Sequence, residues 1–79
     1  TADSAASGMT MQEAQVAHIL LSMEASIAAW RAALSDGAIS ENRFDGKVRD
    51  VKRNALAHLS RILPKPEAKA MVDSAAQVA

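Results

Sequence analysis

The two histidines, His18 and His58, are the residues best suited to hold a metal, because neutral imidazole is a common ligand of transition ions. If the chain turns back near residue 38, both histidines lie at the same level of a helical hairpin. His58 falls within the apolar seam of its helix, however, and His18 lies away from the seam of its own. We therefore expect one packed and one exposed histidine, no third ligand, and no metal site or other bound cofactor.

Nucleophilic catalysis has few candidate residues in this chain. The serines have no histidine and carboxylate placed beside them as a triad requires. Cysteine is absent, which excludes thiolate nucleophiles, disulfides and cysteine-ligated zinc. The sequence has no glycine-rich phosphate loop, and its carboxylates are scattered. We therefore predict no catalytic residues and a protein that is not an enzyme.

Basic side chains are concentrated in the second half of the chain, where they could contact phosphates. They spread around the polar arc of a predicted helix, and Asp45 and Asp50 lie one turn before Arg49 and Arg53. A solvated polar face is therefore our first interpretation, and binding of nucleic acid or an anionic surface is the alternative. The possible anion contacts are Lys47, Arg49, Lys52 and Arg53.

Helical periodicity and capping signals define the first of the elements that position these residues. Thr10 and Glu13 form the pattern of a capping box, and a helix is predicted from there to about Ser35. Asp36 and Gly37 end it, since glycine readily adopts the left-handed conformation of a helix cap. The apolar seam of this helix has the spacing of coiled-coil packing and consists of Val16, Leu20, Met23, Ile27, Trp30 and Leu34.

Two further helices are predicted after the turn. Ser40 can cap the second, whose seam has the same spacing and whose apolar stripe widens toward its C-terminal end. Pro64 and Pro66 stop that helix, and Pro66 suits the first turn of a third helix that runs to about Val78. The predicted fold is all-α, a long antiparallel helical hairpin with a short third helix, similar to a three-helix bundle. The predicted seam of the second helix is Phe44, Val48, Val51, Ala55, His58 and Ile62, widened by Leu56, Leu59 and Leu63.

The turn from Leu34 to Phe44 resembles two known patterns. Gly37 and Ile39 match the sixth and eighth places of an EF-hand loop, but Arg43 then stands at the twelfth, where calcium needs a carboxylate. The sequence L-S-D-G-A-I-S-E-N-R-F also resembles the short C-terminal hairpin of bacterial proteins, with Arg43 in place of that pattern's usual acid. Such a resemblance implies two helices joined by this turn, and a role in oligomerisation or attachment to a larger protein. The same residues are what any turn between two helices requires, so we interpret the stretch as a turn and not as membership of that family.

A second stripe of small side chains on the first helix is the candidate interaction surface. Small residues let another helix approach closely, although they also favour helix on an exposed face. Residues 1–38 carry one basic residue against four acidic ones and residues 39–79 eight against five, so the halves have opposite net charge. We expect a homodimer, or docking on a larger protein, through the residues Ala14, Ala17, Leu21, Ala25 and Ala28.

The length of 79 residues fits one small domain. We interpret residues 1–9 as a disordered N-terminal segment or an expression-vector remnant, and residues 10–79 as a single helical domain. No apolar run reaches the roughly 20 residues that a transmembrane helix needs. The predicted function is a non-enzymatic helical interaction or oligomerisation module that acts through helix packing.

Overall fold

A computed structural model describes residues 10–78 of the chain, so the predicted N-terminal segment, residues 1–9, lies outside the described residues. Three helices make up the fold: α1 spans Met11–Ser35, α2 spans Glu41–Leu59 and α3 spans Lys65–Val78. All three pack against one another, which confirms the predicted all-α, three-helix architecture.

The N-terminus of α1 is closed by the predicted capping box. The Thr10 hydroxyl oxygen accepts a hydrogen bond of 3.1 Å from the backbone N–H of Glu13. In return, the backbone N–H of Thr10 donates to the Glu13 carboxylate at 3.2 Å. Two backbone donors that the helix itself cannot satisfy are thus paired, which fixes where α1 begins.

The turn between α1 and α2 is a Schellman motif with Gly37 at its left-handed position. Gly37 has a φ of +77°, and its N–H donates to the carbonyl of Leu34 at 3.1 Å. The N–H of Ala38 donates to the carbonyl of Ala33 at 2.9 Å, which completes the motif. Ser40 then caps α2, its hydroxyl accepting from the N–H of Arg43 at 3.2 Å.

Two contacts show that α1 and α2 run antiparallel over most of their length. Near the N-terminus of α1, the Gln12 amide donates to the carbonyl of Ile62 at 3.2 Å. Near the turn, the Lys47 ammonium lies 5.1 Å from the centre of the Trp30 ring. The long hairpin is therefore held in one register from end to end.

The core receives two fully or nearly fully buried side chains from each helix. It sits toward the open end of the hairpin, where α3 folds against both other helices. Around it pack partly buried residues of the predicted seams, among them Leu20, Val51 and Leu63. The six core residues are Met23, Ile27, Ala55, Leu59, Ala68 and Val72.

The second helix ends earlier than the prolines predict. It stops at Leu59, and a tighter turn follows in which the N–H of Ile62 donates to the Leu59 carbonyl at 2.9 Å. Proline disfavours helical geometry at the residue before it, so the chain leaves the helix before Pro64 is reached. Ile62 and Leu63, predicted as helical, therefore belong to this turn, although Leu63 still packs against the core.

The two glycines of the described residues allow a matched stability test of the turn. A Cβ added at either one would meet no atom within 4 Å, so only backbone conformation distinguishes them. Gly37→Ala should lower the free energy of unfolding by roughly 1 kcal/mol, because a Cβ is strained at positive φ. In a chain of this size that shift lowers the melting temperature by about 4–8 °C, which circular dichroism can follow.

The opposite change is expected at Gly46, inside α2. Gly46→Ala should raise the free energy of unfolding by roughly 0.5–1 kcal/mol, because alanine loses less backbone entropy than glycine in a helix. Equal effects of the two substitutions would contradict the left-handed turn at Gly37.

Candidate interaction surface

The small-residue stripe lies on the side of α1 that faces away from the core. Ala14 and Ala17, nearest the N-terminus, are half-buried, whereas Leu21, Ala25 and Ala28 are exposed. Leu21 retains 63% exposure and is the one large apolar side chain among the five predicted interface residues. The structure thus brings all five predicted interface residues onto one side of α1 and leaves three of them in solvent.

A groove opens beside the N-terminal half of this stripe, between α1 and α3. It holds about 840 Å³ and is continuous with the stripe, since Ala17 lines it. Met71 and Val78 of α3 stand at the groove and are 39% and 82% exposed. The other apolar residues that line it are Val16, Leu20, Leu63 and Ala75, and the polar ones are Thr10, Gln12, Glu13 and Ser74.

Sequence reasoning missed this groove, because helical periodicity does not show how closely the third helix approaches the first. Among the described residues of α3, only Ala68 and Val72 are buried. Met71 and Val78 lie on the neighbouring face, which α1 approaches without closing over it. The signal was in the sequence, since the apolar stripe of α3 is wider than one packed face of so short a helix needs.

The thinness of the molecule explains why these surfaces stay open. Its shortest extent, measured on Cα atoms, is 15 Å. Two packed helices already fill that depth, because their axes lie 8–10 Å apart and each Cα cylinder has a radius of about 2.3 Å. Each helix therefore keeps one side that no other helix covers.

The basic residues of α2 are largely engaged within the chain. The Lys52 ammonium lies 3.3 Å from the Asp73 carboxylate of α3, and the Arg53 guanidinium lies 3.3 Å from Asp50. Lys47 covers the Trp30 ring. Three of the four possible anion contacts thus have a partner inside the chain, which leaves Arg49 exposed and without one among the described residues.

The histidines differ from their prediction in one respect. His18 is exposed as expected, but His58 is exposed too, so the expectation of one packed histidine is wrong. The buried face of α2 packs toward both α1 and α3. This face carries Ala55 and Leu59, and His58 lies to one side of it. Both imidazoles instead line the same two depressions along the α1–α2 groove.

Across residues 10–78, no three histidine, cysteine or acidic side chains come together as a metal cluster. No helix in that range is long and apolar enough to cross a membrane. Comparison with family models, curated proteins and solved structures found no match to this chain.

Adjacent residues of α3 provide a test of which face is core and which lines the groove. Val72 is 2% exposed, and Val72→Ala should lower the free energy of unfolding by roughly 2 kcal/mol through lost burial and a residual cavity. Met71→Ala should cost less than about 1 kcal/mol in dilute solution, where the groove is open to solvent. Denaturant unfolding of the two variants measures the difference, and an equal loss would show that the groove is closed in solution.

Proposed function

We propose that the chain is a non-enzymatic helical interaction module that associates with a second copy of itself by helix packing. The observation that carries this proposal is the exposed Leu21, which follows by one helical turn Ala17, a residue that lines an open apolar groove. Burial of such surface is the main favourable contribution to association of small helical proteins.

The shape of this face favours a second copy as the partner. A two-fold axis brings the same patch of both chains together, so the patch must complement itself. Here the exposed Leu21 forms a ridge on the stripe, and Ala17, one helical turn before it, lines the groove. With the axis between ridge and groove, Leu21 of each chain enters the groove of the other, where Met71 and Val78 meet it.

The small side chains around Leu21 support close contact. Ala14 and Ala17 precede it and Ala25 and Ala28 follow it on the same face of α1. Side chains of one carbon let two helix backbones approach closely, while the single leucine supplies the volume that fills the groove. The two copies of α1 would run antiparallel, as a two-fold axis perpendicular to them requires.

Anion binding through α2 is the alternative function, and the internal contacts of Lys47, Lys52 and Arg53 leave it with less support. Its signature would be retention on heparin that falls as salt rises. The packing module should instead pass through a heparin column without retention. A separate mass measurement should show an oligomer at low and high salt, since burial of apolar surface depends little on ionic strength.

The charge substitution Leu21→Glu tests the proposed dimer. Sedimentation equilibrium of the wild type should give twice the chain mass at micromolar concentration. Leu21→Glu should give the monomer mass, because a carboxylate cannot enter an apolar contact without losing its hydration. Gln15→Glu is the matched control, since it adds the same charge to an exposed site on another face of α1 and should leave the dimer intact.

A wild-type chain that sediments as a monomer at every accessible concentration would refute the dimer, particularly if Leu21→Glu unfolds at the same temperature. Dissociation by Gln15→Glu as well would show that charge on α1, and not the stripe, controls association.

A further inference from the structure

His18 and His58 lie at the same level of the hairpin. The contact between Lys47 and Trp30 sets the register near the turn. His18 is twelve residues before Trp30 on α1, and His58 is eleven residues after Lys47 on the antiparallel α2. Since both helices rise about 1.5 Å per residue, the two histidines are offset by little along the hairpin axis.

The two imidazoles also stand on opposite walls of one groove. Two depressions, of about 420 and 430 Å³, follow each other along the α1–α2 groove. Ile19 lines both depressions, and so do His18 and His58, whereas the other lining residues belong to one depression or the other. The histidines therefore flank the point where one depression ends and the next begins.

The nitrogen atoms of both imidazoles are available to a ligand. No hydrogen bond or ion pair joins either imidazole to another residue within 10–78. Axes of packed helices are 8–10 Å apart, and an imidazole nitrogen binds a transition ion at about 2.0–2.1 Å. Because both imidazoles line the same two depressions, this spacing is compatible with one ion held between them.

The electrostatic field near the two histidines favours a cation in one of the two depressions over the other. His58 is the last residue but one of α2, whose C-terminal carbonyls carry partial negative charge. Arg61 lines the second depression and repels a cation there. Ser22 and Asn54 line the first, which places the ion on their side and leaves room for water.

We propose that His18 and His58 form a two-imidazole site for a divalent late transition ion such as zinc, nickel or copper. Imidazole suits these ions, whereas calcium and magnesium require oxygen ligands. Water completes the coordination, and the bound ion links α1 to α2 near the open end of the hairpin. This assigns a metal to two residues for which the sequence predicted none, and it does not depend on the proposed dimer.

Thermal unfolding of the untagged chain, followed by circular dichroism with and without zinc chloride, tests the site. A ligand that binds only the folded state raises the melting temperature, so zinc in excess should raise it by several degrees and EDTA should reverse the change. Calcium chloride at the same concentration should have no effect. Titration calorimetry should give one zinc ion per chain.

The variants His18→Ala and His58→Ala should each weaken zinc binding by roughly tenfold or more, since loss of a single group at a metal site costs at least that much. Both side chains are exposed, so the metal-free variants should unfold near the wild-type temperature. Ser22→Glu places a carboxylate one helical turn after His18, in the same depression, and should tighten zinc binding by roughly tenfold.

A melting temperature that zinc leaves unchanged would overturn the site. So would zinc stabilisation that is undiminished in either histidine variant, because a single histidine would then suffice. A stoichiometry of one ion per two chains would also overturn the site, because the ion would then bridge two chains rather than two helices of one chain.

Discussion

Burial of Leu59 is the contact on which the whole arrangement depends. It is the last residue of α2 and is fully buried, in a core cluster to which all three helices contribute. Its carbonyl also accepts the N–H groups of Ile62 and Leu63, so the same residue starts the turn toward α3. Helix α3 is short and contributes only Ala68 and Val72 as buried residues to the core. Its position therefore depends on the apolar surface that Leu59 provides in the same cluster. The position of α3 in turn determines the groove beside α1.

Much of this fold could be predicted from the sequence, because its signals are local. Thr10 and Glu13 are three residues apart and form the capping box themselves. Gly37 requires only its own backbone conformation and two neighbouring carbonyls. Seam residues such as Met23 and Ile27 follow from helical periodicity, whichever helix they meet. Local propensity and the global fold agree in these segments, as they do in sequences that fold to one structure.

The remaining features depend on angles between helices, which periodicity does not give. His58 shares the spacing of the α2 seam, yet α2 packs against two neighbouring helices. The face of α2 that lies between them is the buried one, and it carries Leu59 rather than His58. The groove next to Met71 exists because α3 approaches α1 without covering it. The dimer, the alternative anion surface and the metal site concern partners of the chain, and those remain predictions from surface chemistry.

The Schellman turn at Gly37 has a consequence for the rate at which the chain folds. Only a few residues separate α1 from α2, so bringing the two helices together costs little chain entropy. Contacts close in sequence form quickly, and helical proteins dominated by them fold in microseconds to milliseconds. The connection between α2 and α3 is as short as the one between α1 and α2, so both junctions close at a low entropy cost. We therefore expect rapid folding in which neither junction limits the rate.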